Sequence, residues 1–177
     1  LAPSRRTGKS VENAATVLID TSFWRETEMT DPENWNGAAS VELVQQCYTH
    51  AGQGEWDKAN ALIADDFAFH EPPSLDYGGV WRGRDAMQRV VAFLMEYWVD
   101  PDIKVVRFIG DEQYCIVLMR ISVTSKKSGK RFTQDVTEVL RISDGRIAEL
   151  RVHYFDTAEL ALDTGSIGRL SEARERV

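Results

Sequence analysis

The hydrophobic period of this chain changes once, near Ile103, and that change limits the folds open to it. Four stretches, 103–109, 113–124, 131–142 and 146–155, alternate with period two or run continuously apolar, as strands do. The Asp111-Glu112, Ser128-Gly129 and Ser143-Asp144-Gly145 segments between them are short turns, so neighbouring strands should pair antiparallel as a meander. Upstream the period is helical. Val41, Val44, Cys47 and Ala51, with Leu43 and Tyr48 beside them, form a first helix stopped by Gly52-Gln53-Gly54. Trp56, Ala59, Leu62 and Ile63 share one side of a short second helix, before Ala64-Asp65-Asp66 breaks the run. Met87, Val90, Val91, Leu94 and Trp98 form the stripe of a third, which stops before Asp100-Pro101. Between the second and third helices lie a β-rich segment, Phe67 to Glu71, ended by Pro72-Pro73, and a loop in which Gly78-Gly79 and Gly83 flank Val80-Trp81-Arg82. Helices segregated from a mostly antiparallel sheet make an α+β domain.

With 43% hydrophobic and 10% aromatic residues over 177 positions, one packed core is within reach and disorder of the whole chain is excluded. Residues 1–28 lack a sustained period and read as a weakly ordered extension, 29–162 as the domain, and 163–177 as a weakly apolar tail. Met29 before Thr30-Asp31-Pro32-Glu33, a helix-start signature, suggests that the natural domain begins there. A net charge of −7 works against a grip on nucleic acid, and Lys126, Lys127, Lys130 and Arg131 surround a Ser-Gly turn as a solvated hairpin tip. No apolar run is long enough to span a bilayer and no secretory pattern opens the chain, so a cytoplasmic protein is expected. Cys47 and Cys115 fall in apolar-periodic stretches as buried free thiols, and His50, His70 and His153 are scattered without metal-ligand spacing.

Strand parity gives the sharpest chemical signal, because alternate side chains face opposite sides of a sheet. In 131–142 one face reads Phe132, Gln134, Val136, Glu138, Leu140, Ile142, so Glu138 stands on the apolar side. Phe67, Phe69 and Glu71 share a face of the first strand, opposite Ala68 and His70. A carboxylate on a buried face is costly unless paired, hydrogen-bonded or protonated, and such groups serve acid–base chemistry. The bland alternative pairs Glu138 with an arginine such as Arg120 and leaves Glu71 at a solvated strand end. In the last strand Ala148, Leu150, Val152 and Tyr154 resemble a cavity wall, opposite Ile147, Glu149, Arg151 and His153. His153 belongs to an outer face or a subunit contact, whereas His70 reaches the pocket only across a bulge. Trp56 and Trp98 read as core, and Tyr77 and Trp81, in the Gly-rich loop, as a lid or ligand-facing wall.

The order of elements, with Ala64-Asp65-Asp66-Phe67-Ala68-Phe69-His70-Glu71-Pro72, Gly78-Gly79-Val80-Trp81-Arg82-Gly83 and Leu140-Arg141-Ile142-Ser143-Asp144-Gly145-Arg146-Ile147, resembles the nuclear transport factor two-like superfamily over about residues 38 to 160. Its ketosteroid isomerase and SnoaL-like polyketide cyclase branches are the ones indicated. The resemblance implies a cone-shaped curved sheet wrapped around helices, a deep apolar pocket, and dimers through the outer sheet face. It assigns the general base of the isomerases to Glu71, before Pro72, and their protonated oxyanion-hole acid, or the acid/base aspartate of the cyclases, to Glu138, three residues before Arg141. The isomerase tyrosine falls on Cys47, with Tyr48 adjacent, and the cyclase histidine has no counterpart on 113–124. The implied activity is isomerisation, cyclisation or dehydration of a hydrophobic carbonyl compound by Glu71 and Glu138, without a cofactor. Tyr48, His70, Tyr77, Trp81, Val136, Leu150, Val152 and Tyr154 would contact the substrate. The alternative is a non-catalytic module of the same fold that binds a small molecule or a protein.

Overall fold

The computed structural model describes residues 39–166 and the backbone of 175–176. The expectations for residues 1–28 and for a domain start at Met29 lie outside the described residues. Three helices precede the meander as expected: α1 (Ala39–Gly52), α2 (Trp56–Ala61) and α3 (Ala86–Tyr97). The strands are β1 (Ile63–Glu71), β2 (Gly79–Arg82), β3 (Trp98–Gly110), β4 (Tyr114–Ser125), β5 (Arg131–Ser143) and β6 (Arg146–Tyr154). A further helix, α4 (Thr157–Thr164), follows, and β7 (Glu175–Arg176) pairs parallel to β2. The strands form one curved, mostly antiparallel sheet that does not close, in the order β3-β4-β5-β6-β1-β2-β7. This is the α+β architecture expected from the change of period.

The meander β3-β4-β5-β6 pairs antiparallel throughout. β1 then joins β6 in parallel, with Phe69 opposite Leu150 and His70 opposite Arg151. The Gly-rich segment expected as a loop contains strand β2, antiparallel to β1, with Trp81 opposite Phe69. Pairing with an existing strand decides this, because four residues between glycines carry too little periodicity to declare themselves. Trp98 belongs to β3 rather than to the third helix. Asp100 takes φ 50 and the pairing with β4 shifts register between Val99 and Asp102, so Pro101 is accommodated at a bulge on an edge strand. Ile63 likewise opens β1 instead of extending α2.

Cys47 and Cys115 are free and buried. The basic tip between β4 and β5 is exposed, as expected of a solvated hairpin tip; Lys126 Nζ donates to Met95 O at 2.5 Å and Lys127 Nζ to Asp163 O at 2.6 Å. No helix among the described residues is long and apolar enough to cross a membrane. The helix α4 escapes the periodicity reading, although Asp156 and Glu159 stand at cap and third position. Asp156 accepts from the Ala158 and Glu159 amides at 2.9 and 3.2 Å, and Gly165, at φ 85, ends the helix. Gln134, on the inner face of β5, staples α4 down: its Nε2 donates to Glu159 Oε2 at 2.9 Å and its Oε1 accepts from the Asp156 amide at 3.1 Å.

Candidate active site

The inner face of the sheet, α1, α3 and α4 line a partly open apolar cavity of about 180 Å³. β5 sends Glu138 into it, between Val117 of β4 and Val152 of β6, as the parity of 131–142 requires. β1 sends in Glu71, which is 4% exposed. Because β1 lies beside β6 and β6 beside β5, the two backbones stand two strand spacings apart, about 10 Å. Among the described lining residues these two are the only carboxylic acids, and no Lys, Arg or His accompanies them. Arg120 does not neutralise Glu138: it lies on the opposite face and pairs with Asp135 at 2.8 Å.

Hydroxyl groups partner both acids. Tyr48 of α1 donates a hydrogen bond to Glu138 Oε2, and Tyr154 of β6 donates to Glu71 Oε1 at 3.4 Å. Glu71 Oε2 is buried without a partner, a costly state for a polar atom and a free handle for a ligand. The Tyr77 hydroxyl interacts with Tyr154 and with the Trp98 indole, which extends the Glu71 side of the network.

Burial pushes Glu138 from 4.5 up to about 7, against the hydrogen bond from Tyr48, which favours the ionised form. Glu71 is held well above the usual carboxylate range, by burial first and then by the charge of Glu138 across the cavity, with the Tyr154 hydrogen bond opposing. Tyr48 and Tyr154 are raised well above 10 by burial and by the neighbouring acids, so both remain hydroxyl donors. The cavity therefore biases both carboxyl groups toward their protonated forms, Glu138 at about 7, and the two titrate as a coupled pair.

Of the residues singled out in the sequence, Glu71, Glu138, Tyr48, Tyr77, Leu150, Val152 and Tyr154 all line the cavity. His70 does not. Parity turns it to the outer face, where its Nε2 lies 3.2 Å from Glu149 Oε1, beside Arg151 and Arg141, which also bind Glu149. The register shift in β1 falls between Ile63 and Ala68, too early to rotate His70 inward. Trp81 is also outside the lining: its indole N–H donates to Tyr77 O at 3.1 Å and its ring packs 5.5 Å from Phe93. Val136 is buried in the core without bordering the cavity. Conversely Trp56 and Trp98, expected as plain core, border it. Ile147, expected outside with His153, is fully buried, because β6 bulges opposite Arg141 and Ile142 and turns Ile147 and Ala148 inward in succession. His153 is exposed, as expected.

The resemblance aligns the isomerase tyrosine with Cys47, and its neighbour Tyr48 supplies the hydroxyl that meets Glu138. Cys47 points toward α2, with Sγ 3.9 Å from Ala59 O, while the next residue, 100° further round the helix, meets Glu138. The contributions of α3, through Met87, Val90 and Leu94, and of α4, through Leu160, had no chemical signal in the sequence. The α3 stripe reveals an inward face and says nothing of whether that face meets a cavity or a neighbour.

Residues 44–150 match the SnoaL-like domain family. No curated protein matches the chain significantly. Among solved structures, the fold is similar to that of an NTF2-like protein of unknown function from Burkholderia pseudomallei, with 21% identity, 72% of this chain and 98% of that one covered, and a TM-score of 0.63. It is similar to TerC co-crystallised with polyporic acid, at 14% identity, with 72% and 99% covered and a TM-score of 0.62. A protein with a ketosteroid isomerase-like fold from Catenulispora acidiphila, in complex with trimethylamine, shares 12% identity over 71% of this chain and 94% of that one, with a TM-score of 0.57. At such identities the likeness is one of fold.

Proposed function

The chain belongs to the SnoaL-like domain family, which includes cyclases and isomerases, and from that premise we propose that it is a cofactor-independent isomerase, cyclase or dehydratase of small hydrophobic carbonyl compounds. The observation that carries this reading is the pair of carboxyl groups facing one apolar cavity, with Glu71 Oε2 unpartnered. Carboxyl groups whose environments separate their proton affinities divide naturally into a base and an acid.

The Tyr48 hydrogen bond, which favours ionised Glu138, and the unpartnered Oε2 of Glu71, free to donate, favour Glu138 as the base and Glu71 as the acid, the reverse of the roles that the resemblance implies. Glu138, ionised in part near neutrality, takes a proton from the carbon next to a carbonyl. Glu71, still protonated, donates a hydrogen bond from its free side to the carbonyl oxygen as enolate charge develops there. Tyr48 stays hydrogen-bonded to Glu138 and limits how basic it becomes. Returning the proton to a different carbon isomerises the substrate; attack of the enolate on a second carbonyl closes a ring.

Proton exchange tests this directly. In deuterated buffer the protein should accelerate deuterium uptake at the α-carbon of cyclohexanone-sized ketones, read by NMR. Glu138→Gln should lose about 100-fold or more of that rate, the usual scale for removing a general base. Exchange that survives in both Glu138→Gln and Glu71→Gln would refute the assignment. Ketone binding without any exchange in the wild type would put the non-catalytic binding module in its place.

The outer face of the sheet carries Ile116, Leu118 and Val139, half-buried, and exposed Val106. This apolar strip supports association of two copies through that face, and a monomeric mass in sedimentation equilibrium would refute it.

A further inference from the structure

Six aromatic side chains, Tyr48, Trp56, Phe69, Tyr77, Trp98 and Tyr154, line the same cavity as Glu71 and Glu138. The described lining offers the two acids no cation, and the arginines flanking Glu138 in the sheet, Arg120 and Arg141, are engaged on the opposite face by Asp135 and Glu149. Glu71 is 4% exposed and its Oε2 has no partner in the protein. We infer that this cavity is a receptor for a small organic ammonium ion, seated against the aromatic faces between Glu71 and Glu138.

The argument rests on what the wall can offer a guest. Aromatic faces carry negative potential and hold organic cations by about 2 kcal/mol or more once water is excluded. The carboxyl pair supplies the counter-charge that aromatic rings alone lack. A small metal cation would lose its hydration shell to a wall made almost wholly of carbon, whereas an alkylammonium ion is weakly hydrated and presents methyl groups to it. Size sets the upper limit. A cavity of about 150 Å³ holds benzene, so about 180 Å³ admits a guest of about seven non-hydrogen atoms, such as choline. The inference does not depend on the carbonyl reading, which requires a neutral substrate.

Protonation should govern affinity. The titratable groups facing Glu138 are Tyr48 and, beside it, Cys47 from α1, Glu71 from β1, Tyr154 from β6, and Tyr77 from the segment before β2. Burial biases all five toward their protonated, uncharged forms, and Glu138, at about 7, changes charge near neutrality. Binding a fixed cation requires ionised Glu138, and below neutrality it must expel that proton.

Isothermal titration of the wild-type protein with choline and with its uncharged isostere 3,3-dimethylbutan-1-ol tests the inference without a variant. Choline should bind at least tenfold tighter than the alcohol at pH 8, and about thirtyfold more weakly at pH 5.5 than at pH 8, as expected for a carboxyl titrating near 7. Heats in buffers of different ionisation enthalpy should report proton release below neutrality. In Glu138→Gln the preference for choline should vanish while the alcohol still binds, which also shows an intact cavity. Equal affinity for both probes in the wild type, or a choline preference independent of pH, would overturn the inference. A protein that exchanges ketone α-protons yet shows no choline preference refutes only the ammonium site, and the opposite pattern refutes only the carbonyl chemistry.

Discussion

Glu138→Gln should make the protein more stable at pH 8 and change it little at pH 4.5. In the folded chain Glu138 is raised from 4.5 to about 7 by burial, and each unit of separation between folded and unfolded values is worth about 1.4 kcal/mol. The folded state therefore holds this proton more tightly than the unfolded state. Stability from that proton is fully present below about 4.5, falls as pH rises through the interval up to 7, and is gone above it, a total of about 3 kcal/mol. Glutamine keeps the size and an acceptor for Tyr48 but has no proton to lose. Urea denaturation at pH 4.5, 6 and 8 should show a wild type that weakens with pH more steeply than the variant, with the gap reaching about 3 kcal/mol at pH 8. Glu71 contributes a slope of the same sign to both proteins, and because the charge of Glu138 raises Glu71, the gap between them reports Glu138 together with its coupling to Glu71. Parallel pH profiles would refute the claim that Glu138 ionises inside an apolar cavity.

Two further outcomes follow from particular contacts. Tyr48→Phe removes the hydrogen bond that favours ionised Glu138, so the carboxyl should titrate about one unit higher, in line with about 1.5 kcal/mol or more for a bond to a charged group. A ¹³C-detected titration of the Glu138 carboxyl measures this, and an unmoved midpoint would refute the coupling. At Gly78 a Cβ would stand 2.1 Å from Pro72 O and 2.8 Å from Leu75 O and Pro73 Cα, all backbone. Gly78→Ala should cost about 2 kcal/mol or more, and unchanged thermal unfolding would show that the turn presenting Tyr77 tolerates displacement.

The sequence by itself determined the sorting of residues onto faces. Glu138 among Phe132, Val136 and Leu140, Glu71 with Phe67 and Phe69, and Tyr154 with Leu150 and Val152 were all legible, because a strand alternates whatever it pairs with. The same logic places His70 opposite Glu71, a separation the structure keeps. Short turns likewise fixed the antiparallel meander, since strands joined by two or three residues have few other partners. Tertiary structure decided what depends on elements distant in the chain. The parallel docking of β1 on β6 brings Glu71 to the cavity that holds Glu138, across 67 positions of sequence. The phase of α1 against the sheet turns Tyr48 rather than Cys47 onto Glu138, a choice that one turn of helix cannot encode alone. The bulge that buries Ile147, the pairing that makes β2 a strand, and the space left among α3, α4 and the sheet arise in the same way. Local periodicity records which side of an element is apolar, whereas register, crossing and empty volume are settled only when several such sides are packed against one another.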